Sequence, residues 1–256
     1  MTGPTGSGKT TTLYSILQLL NKEGVNIVTL EDPIEYFLEG VNQSQIRPEI
    51  GYDFSTGLRH ILRQDPNVIM VGEIRDEETA KLVTHAALTG HIVLSTLHTT
   101  NAAGVIPRLI DLGVKPYLIP STLSIAAAQR LVRTLCSDCK KQVKPSKEVE
   151  EMILKEIEDL PPAIRQEIKI KKPLQIFQPV GCKKCNSLGF SGRISLFEIL
   201  IMTKSLAEIT LKEPSEANIL QEAKKQGMVT MKQDGILKVL EGITVIEEVL
   251  RAAEEK

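Results

Sequence analysis

Gly3-Pro4-Thr5-Gly6-Ser7-Gly8-Lys9-Thr10 has the spacing G-x-x-x-x-G-K-T, a loop that can cradle phosphate. Its glycines let the backbone curl so that successive N–H groups face phosphate oxygens. Lys9 can reach the β- and γ-phosphates, and the Thr10 hydroxyl can ligate Mg²⁺. Thr11 follows, and the run from Thr11 to Leu20 reads as a helix whose positive end faces the same anion. The other reading of these residues is a plain glycine-rich turn.

Only Met1 and Thr2 precede the loop. A phosphate loop normally hangs from a buried strand, so the expectation is a chain whose first strand is missing.

Further along, three short apolar runs read as buried strands: Asn26–Leu30, Val68–Val71 and Ile92–Ser95. Strands alternating with helices predict a mostly parallel α/β sheet. Ligands of such sheets bind beyond the carboxyl ends of the strands. Each run leads into polar chemistry: Glu31-Asp32-Pro33-Ile34-Glu35, then Gly72-Glu73-Ile74-Arg75-Asp76, then Thr96-Leu97-His98. Glu73 can act near Mg²⁺, directly or through water, or can simply stabilise a helix N-terminus. Glu35 can act on water, with Asp32 before Pro33 setting a bend. His98 can sense a γ-phosphate; His91, at the start of the same strand, is ambiguous. Arg59 and Arg63 share a helical face, and Arg75 follows Glu73 closely. Each arginine reads either as a group that reaches a γ-phosphate or as part of a surface stripe.

All four cysteines fall into two C-x-x-C pairs, Cys136/Cys139 and Cys182/Cys185. Two such knuckles match a tetrahedral Cys₄ zinc site of structural type. Redox dithiols or disulfides are the other readings, and they fit a reducing cytosol poorly. Lys140, Lys141, Lys183 and Lys184 offset the thiolate charge.

The elements that must position these groups follow from the remaining pattern. Tyr117 to Leu135 is Ala-rich and is predicted as a long helix. Lys140 to Lys172 reads as charged helices on a solvated excursion, broken at Pro161-Pro162. Ala217 to Ala253 reads as helical, with turns near Gly227 and Gly242. With 256 residues the chain can bury a substantial core. Hydrophobic residues at 42% and charged residues at 25% are those of a soluble globular protein. No apolar run approaches bilayer length and no signal peptide is visible, so a cytosolic protein is expected. A net charge of −1, the absence of Trp and 4% aromatics argue against nucleic acid as a partner.

Together the motifs resemble the secretion ATPases of type II secretion systems and type IV pilus assembly, the GspE/PilB group. The residues that carry the resemblance are GPTGSGKTTTL (3–13), TLEDPIEY (29–36), LRHILRQDPNVIMVGEIRDEETA (58–80) and TGHIVLSTLHTTNA (89–102). The tetracysteine element, GFSGRISLFEIL (189–200) and DGILKVLEGITVIEEVL (234–250) extend it over nearly the whole chain. The resemblance implies a RecA-like P-loop NTPase core over 1–135, a zinc-binding element over 136–193 and a helical C-terminal subdomain over 194–256. By position it implies Glu35 as the base that orients water and Glu73 as the Walker B glutamate. His98 belongs to the γ-phosphate side, and Arg59, Arg63 and Arg75 lie near the site or its subunit interface. It further implies ATP, Mg²⁺ and Zn²⁺, and a homo-hexamer at the cytoplasmic face of the inner membrane. The partners it implies are a membrane platform protein and a cytoplasmic adaptor, through which the motor is peripheral to the membrane. A non-hydrolysing nucleotide-binding subunit and a nucleic-acid motor are the other readings. The intact acidic set argues against the first and the charge balance against the second.

Overall fold

The computed structural model describes residues 1–168 and 173–254. Residues 169–172, the end of the charged section, lie outside the described residues. In chain order the first elements are α1 (Lys9–Leu20), β1 (Ile27–Glu31), β2 (Asn42–Gln45), α2 (Phe54–Ile61), β3 (Val68–Val71) and α3 (Glu77–Leu88). Then come β4 (Ile92–Ser95), α4 (Val105–Asp111), α5 (Ile119–Thr122), β5 (Ile125–Leu135) and β6 (Lys141–Val143). The excursion carries α6 (Lys147–Glu158), α7 (Pro162–Glu167) and β7 (Ile176–Gln178). The chain closes with β8 (Phe190–Ile201), α8 (Lys204–Lys212), α9 (Glu216–Lys225), α10 (Met231–Leu240) and α11 (Ile246–Glu254).

Two compact units result. The first holds Met1–Ala127 and Leu200–Glu222, the second Ala128–Ile199 and Ala223–Lys256.

The first unit is built on a parallel sheet of order β2-β1-β3-β4. Helices cover both faces, which is why β1 and β3 are buried at every position. On one face Val28, Leu30, Ile69 and Val71 pack with Phe54, Leu58 and Ile61 of α2, whose spacing puts them on one stripe. On the other, Ile27, Val68 and Met70 meet Leu13, Tyr14 and Leu17 of α1. Beside β4, Thr2 forms a parallel bridge with Leu97. Unlike β1 and β3, β4 is only partly buried, with Ile92 49% exposed, so the expectation of a third fully buried strand does not hold.

The predicted long helix over Tyr117 to Leu135 is also corrected. A short turn and α5 occupy its start, and the rest is the strand β5, paired with β8. Alanine favours helix in isolation, but here Ala126, Ala127 and Ala128 are buried, where small side chains pack closely. Pairing to a distant strand satisfies the backbone instead, so tertiary context overrides local propensity.

In the second unit the β5–β8 ribbon carries the cysteines at one end, next to the two-stranded β6–β7 ladder. The excursion is not simply solvated. Ile153, Ile157 and Leu160 are buried, and Glu156 pairs with Lys232 of α10 at 2.8 Å. The helical tail is as predicted in kind, and α10 begins with a capping box between Thr230 and Gln233.

Candidate functional site

The phosphate loop is shaped by backbone requirements. Gly6 and Gly8 take φ of 80° and 87°, a region that favours glycine, and Gly8 caps α1. Helix α1 starts at Lys9, two residues earlier than predicted. The Lys9 ammonium folds back inside the curl and donates to the carbonyls of Gly3 at 2.8 Å and Pro4 at 2.9 Å. Ser7 Oγ is buried without a hydrogen-bond partner. An orphaned buried hydroxyl beside a lysine ammonium, at the N-terminus of α1, fits an anionic ligand. The polyphosphate of a nucleotide matches that donor set.

Hydrogen bonds stitch this loop to the histidine loop. Thr2 Oγ1 accepts from Thr99 N at 2.7 Å and lies 3.0 Å from Leu97 O. The glutamate loop joins in turn: Ile74 N donates to Thr96 O at 3.0 Å, and Thr96 Oγ1 donates to Gly72 O at 2.7 Å. Glu73 sits between those anchors. Its carboxylate meets Arg75 Nη2 at 2.5 Å and His98 Nε2 at 3.1 Å, and its side chain is 12% exposed. The Arg75 guanidinium pKa is raised, first by its hydrogen bond to Glu73. Burial opposes that rise, and the charges of Glu73 and Asp32 add to it. A Cβ on Gly72 would approach Leu30 O to 3.2 Å. Glycine at this position therefore lets β1 and β3 lie close.

The structure thus brings Glu73, Arg75 and His98 together. Arg59 pairs instead with Glu78 at the start of α3, and Arg63 donates to Arg59 O at 2.7 Å. His91 lies at the opposite end of β4 from His98, with Nδ1 2.9 Å from Ala86 O. Glu35 is exposed on the loop after β1, beyond a cis Asp32–Pro33 peptide.

Sequence reasoning missed the role of Glu31. It is buried rather than facing a ligand, and it accepts from the Tyr14 hydroxyl, from Thr29 Oγ1 at 2.6 Å and from Gln43 Nε2 at 3.0 Å. Burial first, then the Glu31 carboxylate, push the Tyr14 hydroxyl well above its ordinary range. The polar run of β2 was the available signal, since a strand reading Asn-Gln-Ser-Gln must direct amides toward something.

The cysteines converge. Cys136 and Cys182 sulfurs are 4.0 Å apart, Cys139 and Cys185 3.8 Å, and Cys182 and Cys185 3.7 Å. All four lie within 4.8 Å of one another. A tetrahedron with metal–sulfur bonds of ~2.3 Å has edges of ~3.8 Å, whereas a disulfide needs ~2.05 Å. The arrangement therefore fits a four-coordinate metal and not two disulfides. In the metal-free state burial raises the Cys139 thiol to about 11. At Cys185 burial acts the same way but is outweighed by N–H groups of Cys182 and Gly189, and the thiol falls to about 6. Of the four lysines, Lys184 pairs with Asp138 at 2.6 Å and Lys140 donates to Gly242 O at 2.7 Å.

A phosphate loop opening on the same sheet edge as the acidic and histidine loops places the chain among the α/β P-loop nucleotide-binding proteins. It belongs to the Type II/IV secretion system protein family, whose family model matches residues 1–251. It is 45% identical over 255 residues to type II secretion system ATPase E of Vibrio cholerae, covering 100% of this chain and 48% of that protein. To the type IV pilus assembly ATPase PilB of Myxococcus xanthus it is 44% identical over 250 residues, covering 98% of this chain and 42% of that one. The chain therefore spans just under half the length of these relatives. Among solved structures, the pilus retraction motor PilT with bound ADP aligns with a TM-score of 0.68 and 27% identity, covering 99% of this chain and 60% of PilT. The ATPase DotB of Legionella pneumophila aligns with a TM-score of 0.68 and 26% identity, covering 98% and 58%.

Proposed function

We propose that the chain is the ATP-hydrolysing part of a homo-hexameric motor that powers assembly of type IV pili or type II secretion pseudopili. The observation that supports this most is the convergence of the phosphate loop, Glu73 and His98 on one sheet edge, stitched through Thr2, Thr96 and Thr99.

In this reading Gly3, Pro4, Thr5, Gly6, Ser7, Gly8 and Thr11 wrap the triphosphate. Lys9 leaves its two carbonyl partners to contact the β- and γ-phosphates. Thr10 and Glu73 hold Mg²⁺, which when bound neutralises charge on the phosphate oxygens. Glu35 orients the attacking water and accepts its proton. His98 donates a hydrogen bond on the γ-phosphate side. Arg75 holds the Glu73 carboxylate in place through its ion pair, and Arg59 and Arg63 serve the site or its subunit boundary. Cys136, Cys139, Cys182 and Cys185 hold a structural Zn²⁺.

The functional division is 1–135 for the ATPase core, 136–193 for the tetracysteine element and 194–256 for the tail, which opens on the end of β8 and is helical from Lys204. The motor works at the cytoplasmic face of the inner membrane, on a platform protein and through a cytoplasmic adaptor. Among the described residues no helix is long and apolar enough to cross a membrane, which accords with attachment through partners.

Mg²⁺-dependent ATP hydrolysis by the wild type, Lys9→Ala and Glu35→Gln tests this. Turnover by the wild type, its loss in Lys9→Ala and its fall to a small residual in Glu35→Gln are expected. ATP binding without turnover in the wild type would replace the motor by a non-hydrolysing subunit.

A further inference from the structure

Glu31 ends β1 four residues before Glu35, and both of its oxygens are committed. Tyr14 donates to Oε2, while Thr29 and Gln43 donate to Oε1. A buried carboxylate with three donors has its desolvation offset and holds those donors in fixed directions. At 2% exposure it faces the interior, with three of its roughly four acceptor positions filled by these side chains.

Two of the donors come from elements the site depends on. Tyr14 lies on α1, just over one turn past Lys9 and Thr10, and is fully buried. Gln43 lies on β2, in register with Thr29 of β1. Both then reach past Glu31 to the loop that carries Glu35. Gln43 Oε1 accepts from Leu38 N at 2.6 Å, and its Nε2 lies 3.2 Å from Tyr36 O and 3.3 Å from the Tyr14 hydroxyl. The Tyr36 ring meets the Tyr14 ring edge-on, with centroids 4.7 Å apart. On the other side of Glu35, Ile34 N donates to Gln45 Oε1 at 3.4 Å. The backbone is thus tied down on both sides of Glu35, whose own side chain stays exposed.

We propose that Glu31, Tyr14 and Gln43 form a positioning unit that sets Glu35 relative to the phosphate-loop helix. This rests on the reading of Glu35 as the group that orients water. Glu31 is then a positioning residue and not a magnesium ligand, although it stands in an acidic run. The hydroxyl of Tyr14 and the amide of Gln43 transmit the placement of α1 to the loop. A displacement of a catalytic group by about 1 Å can cost roughly 10²-fold in rate.

The test combines amide hydrogen exchange with a double-mutant cycle on the full chain. In nucleotide-free Gln43→Ala, amides of residues 34–41 should exchange at least about tenfold faster, while α1 and β3 keep their protection. Turnover by Gln43→Ala should fall ~10- to 100-fold with KM for ATP changed less than about twofold. In the Glu35→Gln background, residual turnover should not fall further when Gln43 is replaced, because the group it positions is already gone. Tyr14→Phe keeps the ring against Tyr36 and removes only the hydroxyl, so it carries the same expectations if Gln43→Ala does not fold. Unchanged exchange over 34–41 overturns the positioning unit alone. So does an equal loss of turnover in both backgrounds. Wild-type turnover by Glu35→Gln overturns the reading of Glu35 and the positioning with it.

Discussion

His98 Nε2 faces one oxygen of Glu73 at 3.1 Å, while Arg75 holds the other. A neutral His98 must carry its proton on Nε2 to make that contact, which fixes its tautomer. Removing the ring in His98→Ala leaves Glu73 to Arg75 alone. We expect ATP turnover to drop by about 10²-fold. The melting temperature should stay within about two degrees, because pairs with exposed partners contribute little to stability. Steady-state hydrolysis beside a thermal melt checks both halves.

Metal analysis should find one zinc per chain, bound by the four converging sulfurs. Stripping it with a chelator should lower the melting temperature and expose four titratable thiols. Cys185→Ser should bind metal far more weakly, since it removes a sulfur that also accepts from Cys182 N at 3.1 Å and Gly189 N at 3.2 Å. Less than about a fifth of an equivalent of zinc, with unchanged melting after chelation, would count against the site.

Glu248 on α11 is buried under Arg133 and Arg251, which approach to 2.8 and 2.9 Å. Burial alone would raise its carboxyl. Hydrogen bonds from the Arg133 side chain and backbone, with the two arginine charges, outweigh burial and hold it below the ordinary range. A carboxylate depressed in the folded state contributes stability that is complete above its unfolded value, about 4.3, and is lost as pH falls through the lower folded value. Glu248→Gln should therefore cost about 2 kcal/mol at neutral pH, reduced from a fully buried pair because Arg133 is half exposed. The difference should shrink toward pH 3. Urea unfolding of both proteins at the two pH values measures it.

Gly235 lies mid-helix in α10, where a Cβ would meet Val249 Cγ1 of α11 at 2.4 Å. Gly235→Ala gains helix propensity of about 1 kcal/mol but forces the two helices apart, costing roughly 1–3 kcal/mol. We expect net destabilisation, and Val249→Ala in the same chain should relieve most of the clash. Thermal melts of the single and double variants decide this.

The phosphate loop was legible because its backbone demands glycine at fixed offsets. β1 and β3 were legible because a doubly covered strand is an unbroken apolar run. Glu73 and His98 were legible as strand-end residues because each follows a short apolar run, although β4 is only partly buried. β5 was not legible, because its partner is remote: Gln129 bonds Ser195, 66 residues away. No local pattern marks an alanine run as strand when its ladder lies that far along the chain. The Glu31 cluster failed for a similar reason. Tyr14 reads as one more core position of α1 and Gln43 as loop polarity, and only the sheet brings them to one carboxylate. Glu248 and Arg133 are likewise joined across 115 positions.

The two cysteine knuckles stand 46 positions apart yet meet at one point. The described residues between them hang from a clasp at their base, tightened by the ladder of β6 and β7. Loop-closure entropy grows only logarithmically, so doubling the length of such a tether costs about 0.6 kcal/mol. The mostly exposed stretch Pro162–Glu167 can therefore gain or lose residues at a small loop-closure cost, provided the buried Ile153, Ile157 and Leu160 are kept. The clasp turns this stretch into a graft point, where a foreign segment can be carried while the phosphate loop and its edge keep their geometry.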